Sequence, residues 1–368
     1  MGKRVGILTH PAGVDSELHS TLDLLLNDPR FKVTQLYAPE HGIRGEFPNG
    51  LSSPIGVDPS TGLPIEGLFI NPKRPSKESL ARIDTLIYDV QDIGSRSYTY
   101  ISTLGEVMKA VAEAGVELMV LDRPNPMGGD YFEGPIRDEK YQSMIGWGPL
   151  PIVHGMTIGE VAKFYNDILK INCRLTVVEM QGWKREMRWS DTGLRWVPPS
   201  SGIPHAVSAL LYSVNALVGG ATLNVNDGIG TTLPFELTGA VFKFDPFELA
   251  TFLNQQNLSG ARFRGLFYTT RLDEHKNKIL NGVQAFVDDQ DSFRPVHTAL
   301  TIAHTLFTKY PKEIKVGDPK RFGRVWGNDQ VLQSLSGSRI KTVAEIEAPW
   351  KNQLEDFGEK RRRNLIYP

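Results

Sequence analysis

The chain has 368 residues, of which 40% are hydrophobic and 23% are charged, and its formal net charge is -1. This length and composition predict a substantial core divided between two domains. The charge balance gives no basic footprint for nucleic acid, and no apolar run approaches the roughly 18 residues of a membrane helix, so we expect a small or neutral ligand. The single cysteine, Cys173, excludes an intramolecular disulfide and a cysteine metal cluster.

Over residues 1–180, short apolar, β-branched runs alternate with segments of helical period. The predicted strands are 5–8, 33–37, 85–89, 118–122 and 175–178, and the predicted helices are 19–26, 77–83, 100–114 and 157–171. This alternation is typical of a parallel α/β sheet. Thr157, followed three residues later by Glu160, has the pattern of a capping box that begins the last helix, which gives Glu160 a structural explanation.

After residue 240 the pattern changes to helices at 247–255, 295–308 and 343–357 and strands at 263–270 and 282–287. We therefore predict an α/β domain over residues 1–240, followed by a smaller α+β domain over residues 241–368. Two loops rich in proline and glycine, 38–75 and 123–154, interrupt the first domain. Loops of this length in a compact domain are more often functional than idle.

The usual cofactor motifs are absent from the sequence. The first strand is followed by THPAGV, which has neither G-x-G-x-x-G nor a phosphate-binding Gly-Lys-Ser/Thr. No H-E-x-x-H or comparable metal spacing and no G-x-S-x-G serine elbow is present. We predict no cofactor and no resident metal, and we expect the sheet to be a scaffold whose loops carry another task.

Polar side chains follow several predicted strands, at the edge of the sheet where ligands bind in open α/β folds. The segments are PEHGIRG at 39–45, the run 89–100, DRPNP at 122–126, FEGP at 132–135 and HGM at 154–156. Structural alternatives stay open: Asp92 or Ser95 could cap a helix, and Arg96 could pair with Asp89. Glu133 could be an ordinary loop carboxylate, although its aromatic neighbour could raise its pKa towards that of a general acid.

Carboxylates with arginine, tyrosine, asparagine and histidine, but without a phosphate loop, fit glycoside hydrolysis. The rival hypothesis is a metal-dependent hydrolase. Oxygen and nitrogen ligands for it could come from Glu40, His41, Asp89, Asp92, Asp122 and His154.

Six segments together resemble one bacterial family, the NamZ-like exo-β-N-acetylmuramidases. They are PEHGIRG (39–45), residues 89–100, LDRPNPMGG (121–129), EGP (133–135), HGMTIGE (154–160) and GTTLPFE (230–236), and their order and spacing match over nearly the whole chain. The resemblance implies a Rossmann-like domain followed by a smaller C-terminal domain, with the active site in the cleft between them. It also implies release of N-acetylmuramic acid from the non-reducing ends of peptidoglycan fragments, so the expected partners are peptidoglycan-derived sugars or muropeptides.

Carried over residue by residue, the family's PEHG glutamate falls on Glu40, the first choice for a catalytic carboxyl. Glu133 is our choice for the second carboxyl on chemical grounds, with Asp92 and Glu236 as further candidates. The residues expected to bind the sugar, its acetamido group or its lactyl carboxylate are His41, Arg44, Arg96, Tyr98, Asp122, Arg123, Asn125, His154, Asn224 and Glu236. An arginine suits the lactyl carboxylate because its planar fork can bind both oxygens.

The chain departs from the family pattern in one segment. The family stretch reads roughly EGTNLSEGRGTTRPFE, whereas residues 221–236 here read ATLNVNDGIGTTLPFE. Ala221, Ile229 and Leu233 therefore stand where the family has a carboxylate and two arginines. This change leaves open a divergent specificity or a non-catalytic, sugar-binding relative.

The first residues run directly into the first predicted strand, so no signal peptide is predicted in this chain. The resemblance implies export to the periplasm or the cell exterior, and a cytoplasmic location stays open.

Overall fold

The computed structural model describes residues 2–69, 71, 73–272 and 275–368. The chain divides into two compact units, and each consists of separate stretches of sequence. The first unit comprises Met1–Asp130, Gly155–Ser201 and Gly358–Pro368, and the second comprises Tyr131–His154 and Gly202–Phe357. Among the described residues, no helix is long and apolar enough to cross a membrane.

The first unit is built on a seven-stranded sheet. Its elements in chain order are β1 (Lys3–Thr9), α1 (Thr21–Asn27), β2 (Phe31–Ala38), β3 (Gly56–Val57), β4 (Pro64–Gly67), α2 (Lys77–Leu80), β5 (Thr85–Asp89), α3 (Tyr100–Ala114), β6 (Glu117–Leu121), α4 (Ile158–Ile168) and β7 (Leu175–Val178). The strand order is β3-β4-β2-β1-β5-β6-β7, and every neighbouring pair is parallel except β3 with β4. The predicted parallel α/β sheet is confirmed.

The position of β1 decides where a ligand can bind. It lies between β2 and β5, with Ile7 opposite Leu36 on one side and Ile87 on the other. These apolar side chains belong to the core of the first unit. Because the chain order reverses on either side of β1, the carboxyl ends of these strands form a topological switch point, the usual place for a ligand in an open α/β sheet.

The second unit contains a four-stranded sheet covered by helices. Its elements are α5 (Ala206–Gly219), β8 (Val225–Asn226), β9 (Leu237–Ala240), α6 (Pro246–Gln255), β10 (Ala261–Thr269), β11 (Ile279–Val287), α7 (Pro295–Lys309), α8 (Pro319–Trp326), α9 (Gln330–Ser336) and α10 (Val343–Glu347). The strand order is β10-β11-β9-β8, with antiparallel pairs. A last helix, α11 (Trp350–Arg362), begins in this unit and ends in the first.

Three predicted features need adjustment. Residues 202–240 fall in the second unit, whereas the sequence placed them in the first domain, because α5 packs on α7 and β9 is hydrogen-bonded to β11. The predicted helix 343–357 is two helices, because Pro349 cannot continue α10. The predicted loop 38–75 contains β3 and β4. The capping box of Thr157 and Glu160 is confirmed.

Candidate active site

Glu40 lies in a tight turn directly after β2. The turn needs left-handed backbone at His41 (φ +74°), Gly42 (φ +86°) and Gly45 (φ +73°), and glycine adopts this conformation without steric cost. Glu40 is half-buried there. One of its oxygens accepts the Gly50 N–H at 2.7 Å and the other accepts the Thr99 hydroxyl at 2.7 Å, so the carboxylate is fixed in position.

The segment after β5 brings a second carboxylate and two tyrosines to the same unit. Asp92 is buried and accepts the Gly94 N–H at 2.8 Å. The rings of Tyr98 and Tyr100 meet edge to face, 4.8 Å apart. Burial raises the pKa of Tyr100, a hydrogen bond with Tyr98 lowers it, and the negative charges of Glu40 and Asp92 raise it.

The segment from Pro199 to Ser200 lies against these tyrosines. The Tyr98 hydroxyl donates to Ser200 Oγ at 2.9 Å, and the Tyr100 hydroxyl donates to the Pro199 carbonyl at 2.7 Å. These contacts join groups that are about one hundred residues apart in sequence, at the carboxyl edge of one sheet.

His10 is a site residue that the sequence analysis missed. It is buried at the end of β1, and its Nε2 accepts the Gln91 N–H at 2.7 Å. Its Nδ1 therefore carries the proton and donates to the Pro199 carbonyl at 3.1 Å. Burial lowers the pKa of His10 to about 4, so the ring is neutral near pH 7. A polar residue directly after a buried strand was the signal that could have found it.

Two of the predicted sugar-binding arginines are held in two-point ion pairs. Arg123 donates to both oxygens of Asp89, at 2.6 and 3.0 Å, and Asp89 is fully buried. Arg44 donates to both oxygens of buried Asp58. Asp89 is thus paired with Arg123, whereas the sequence analysis considered Arg96 as its partner. Arg96 itself is buried.

Asp122 and Asn125 hold the backbone of neighbouring loops. Asp122 accepts four hydrogen bonds, from the Arg123 N–H, the Gly159 N–H, the Thr157 hydroxyl and the Tyr367 hydroxyl. Burial raises its pKa to about 6, and the donors act in the opposite direction. Asn125 donates to the Met156 carbonyl at 3.0 Å and accepts the Met127 N–H at 3.0 Å.

Glu133 lies in the second unit, where its side chain contacts the first turn of α7. Its two oxygens accept the N–H groups of Val296 at 3.0 Å and His297 at 2.8 Å. These are two of the donors that the first turn of a helix leaves unpaired, and α7 has no side-chain cap from its own N-terminal residue. Desolvation raises the pKa of Glu133 to about 7, while the two N–H donors lower it. The structure therefore gives Glu133 a structural role.

The remaining candidates also lie in the second unit. His154 is fully buried. Asn224 donates to the Glu313 carbonyl at 2.7 Å and accepts the Lys315 N–H at 3.0 Å. Glu236 accepts the Ser208 hydroxyl at 2.8 Å. Within the residues that the structure describes, no group of three histidine, cysteine or acidic side chains could hold a metal ion.

Carboxylates among hydroxyl donors, at the carboxyl edge of a parallel sheet without a phosphate loop, suit the chemistry of glycoside hydrolysis. The fold and the site are those expected of an α/β glycoside hydrolase. Residues 5–207 match the family model described as the N-terminal part of the exo-β-N-acetylmuramidase NamZ, and residues 210–367 match the model of its C-terminal part. The chain belongs to the NamZ exo-β-N-acetylmuramidase family.

Similar proteins support this assignment over the full length. The chain is 39% identical to the peptidoglycan β-N-acetylmuramidase NamZ of Bacillus subtilis over 366 residues, which cover 100% of this chain and 87% of that protein. A crystal structure of a DUF1343 family protein from Bacteroides fragilis matches with a TM-score of 0.91 and 36% identity, over 100% of this chain and 94% of that chain. A second such protein from Bacteroides fragilis matches with a TM-score of 0.76 and 29% identity, over 99% and 94%.

Proposed function

We propose that the chain is an exo-acting β-N-acetylmuramidase that releases N-acetylmuramic acid from the non-reducing ends of peptidoglycan fragments. The observation that carries this proposal is the 39% identity, over the whole chain, to a relative named for that activity. The fixed, half-buried carboxylate of Glu40 supplies a group suited to the reaction.

In the proposed reaction, Glu40 transfers the proton. As the bond between the anomeric carbon and the leaving oxygen breaks, the Glu40 carboxyl donates its proton to that oxygen. Water then supplies a hydroxyl to the anomeric carbon and returns a proton to Glu40. We propose Asp92, rather than Glu133, as the second carboxylate, because Glu133 accepts two successive backbone N–H groups of the first turn of α7 and so has a role in the fold. Asp92 then stabilises the positive charge that develops on the sugar ring.

The test compares two chromogenic substrates, a β-N-acetylmuramide and the matching β-N-acetylglucosaminide. They differ only in the lactyl group, so the ratio of their kcat/KM values measures its recognition. We expect turnover of both and a clear preference for the muramide. Absence of turnover of the muramide would contradict the proposal and favour a non-catalytic, sugar-binding protein.

The substituted segment of the second unit permits a sharper version of this test. Ile229 and Leu233 are half-buried in a loop with left-handed glycines at 228 and 230. If the lost arginines held the lactyl carboxylate, Ile229→Arg with Leu233→Arg should raise the muramide preference at least about tenfold. We expect a smaller change, because the arginines of the matched segments remain. Thr232→Arg, at an exposed position of the same loop, is the control for added charge.

A further inference from the structure

The loop that follows the Glu40 turn folds back onto that turn. We call residues 46–52 the return loop. The Leu51 carbonyl accepts the His41 N–H at 2.8 Å, so the two segments are bound to each other through their backbones. The neighbouring Gly50 donates its N–H to the Glu40 carboxylate at 2.7 Å. The return loop therefore supplies one of the donors that fix Glu40.

Ser52 fastens the return loop to the end of β2. It is half-buried, and its hydroxyl lies 2.5 Å from the Pro39 carbonyl and 3.1 Å from the Ala38 carbonyl, so it can donate its proton to either. The Pro39 carbonyl belongs to the peptide group that leads directly into Glu40. One hydroxyl thus joins the loop that carries the Gly50 donor to the backbone that carries the acceptor.

Hydrogen bonds, rather than burial of apolar side chains, hold this loop in place. Glu46, Pro48 and Asn49 are exposed, and 53% of the Leu51 surface is exposed. A segment with few buried apolar contacts opens at a low cost in free energy. Loss of the Ser52 hydrogen bond should therefore loosen the return loop and leave the sheet folded.

The next residue in the chain, Ser53, provides a contrast. It is 7% exposed, and its hydroxyl has no hydrogen-bond partner among the residues that the structure describes. The side chain of Ser53 is thus packed without being bonded, whereas that of Ser52 is bonded to the backbone of the Glu40 turn. Two adjacent serines separate the effect of a hydrogen bond from that of packing.

We propose that Ser52 is a positioning residue for the catalytic carboxyl, because its hydroxyl holds the return loop where the Gly50 N–H meets Glu40. This inference rests on the proposed function, in which Glu40 donates a proton to the leaving oxygen. A general acid must lie within hydrogen-bond reach of the oxygen that it protonates. A misplacement of about 1 Å can lower the rate about 100-fold.

The first measurement is the turnover of phenyl β-N-acetylmuramide by Ser52→Ala. We expect kcat to fall about tenfold and KM to stay within about twofold of wild type, because the acid is displaced in a site that still binds substrate. A rise in KM with unchanged kcat would contradict the proposal, since it would place Ser52 in substrate binding.

Two controls separate positioning from stability. Ser53→Ala, at the unbonded hydroxyl, should leave kcat and KM unchanged. Thr34→Val removes a hydroxyl that donates to the Arg82 carbonyl at 2.8 Å, on β2 but about 20 Å before Glu40 along the strand. It should lower the melting temperature about as much as Ser52→Ala and leave kcat unchanged. Equal losses of kcat in these two variants would assign Ser52 to stability alone.

Leaving groups of different acidity test whether Ser52 acts on proton transfer. A dinitrophenol departs with little help from a general acid, whereas phenol needs the proton. We therefore expect Ser52→Ala to lose about tenfold in kcat with the phenyl muramide but less than about twofold with the dinitrophenyl muramide. A loss of the same size with both substrates would overturn the proposal.

The double variant Ser52→Ala with Glu40→Gln tests whether the two residues act as one unit. If Ser52 acts through Glu40, loss of its hydroxyl has no further effect once the carboxyl is gone. Turnover by the double variant should then equal that of Glu40→Gln within about twofold. A further tenfold loss would show independent effects and contradict the proposal.

Amide hydrogen exchange tests the positioning without a substrate. The Gly50 N–H should exchange at least about tenfold faster in Ser52→Ala than in wild type, and at the wild-type rate in Ser53→Ala. Faster exchange in Ser52→Ala, with no turnover by wild type, would support the positioning and contradict the activity. Wild-type turnover that falls in Glu40→Gln but not in Ser52→Ala would overturn the positioning and leave the activity standing.

Discussion

Glu40 and Glu133 are both half-buried glutamates in loops that carry family motifs, but their hydrogen-bond partners differ. Glu40 accepts one backbone N–H and the Thr99 hydroxyl, which are contacts of a loop. Glu133 accepts two successive N–H groups from the first turn of a helix. Because a helix N-terminus carries partial positive charge, Glu133 stabilises α7, whereas Glu40 is the carboxyl that we propose for the proton transfer. A raised pKa alone therefore does not identify the catalytic carboxyl.

The largest expected effect is that of Glu40→Gln. The amide keeps the shape of the side chain but cannot exchange a proton as a carboxyl does, so kcat on the muramide should fall about 100-fold or more. The melting temperature should stay the same. Glu46→Gln, an exposed glutamate of the same turn, is the matched control and should retain wild-type turnover. A Glu40→Gln variant that retained a tenth or more of wild-type activity would remove Glu40 from the mechanism.

Glu133→Gln should affect stability rather than turnover. The pKa of Glu133 is raised from 4.5 to about 7, so the folded protein binds more protons than the unfolded chain between these values. The stability that this group contributes is therefore present below pH 4.5 and is lost as pH rises through 7. Glutamine does not titrate, and each pKa unit between 4.5 and 7 corresponds to about 1.4 kcal/mol, so the free energy of unfolding of the variant, relative to wild type, should rise by about 3 kcal/mol between pH 4.5 and 8.

Urea unfolding of both proteins at these two pH values measures the change. Turnover of the muramide per folded molecule should stay within about threefold of wild type, because no proton transfer is lost. A 100-fold loss of kcat in Glu133→Gln would reverse the comparison and make Glu133 the second catalytic carboxyl.

The smallest expected effect comes from Thr99→Val, which removes one donor from Glu40. We expect kcat to fall about fivefold with little change in KM, as for one lost hydrogen bond of about 1 kcal/mol. Thr99 makes no cap bond to α3, which limits the effect on folding.

The matched control is Thr103→Val, in the first turn of α3. Its hydroxyl donates to the Thr99 carbonyl rather than to a carboxylate. Thr103→Val should change neither kcat nor KM. Equal effects of the two variants would show that Thr99 acts on the helix and not on Glu40.

Much of the first unit was predictable because its signals are local. Buried parallel strands are continuous apolar runs, and the capping box of Thr157 and Glu160 spans only four residues. The helix α5 was missed because ten of its 14 residues are buried, which leaves no amphipathic period to detect. Its apolar sequence could not show that it packs on α7.

The site was predictable as a set of residue types but not as a set of contacts. The position of Glu40 after β2 followed from the strand pattern. The ion pair of Asp89 with Arg123 and the bonds of Tyr98 and Tyr100 to residues 199–200 join distant parts of the sequence, so no local spacing indicates them. For the same reason, Glu133 could not be recognised in advance as the acceptor for α7.

The last residues of the chain complete the first unit, with a consequence for its biosynthesis. The Tyr367 hydroxyl donates to buried Asp122, and the Ile366 N–H donates to buried Glu160. These carboxylates are made early by the ribosome, while their donors emerge more than two hundred residues later. Both carboxylates have earlier partners, Asp122 the Thr157 hydroxyl and Glu160 the Thr157 N–H, but their full set of hydrogen bonds forms only after residues 366 and 367 have left the ribosome.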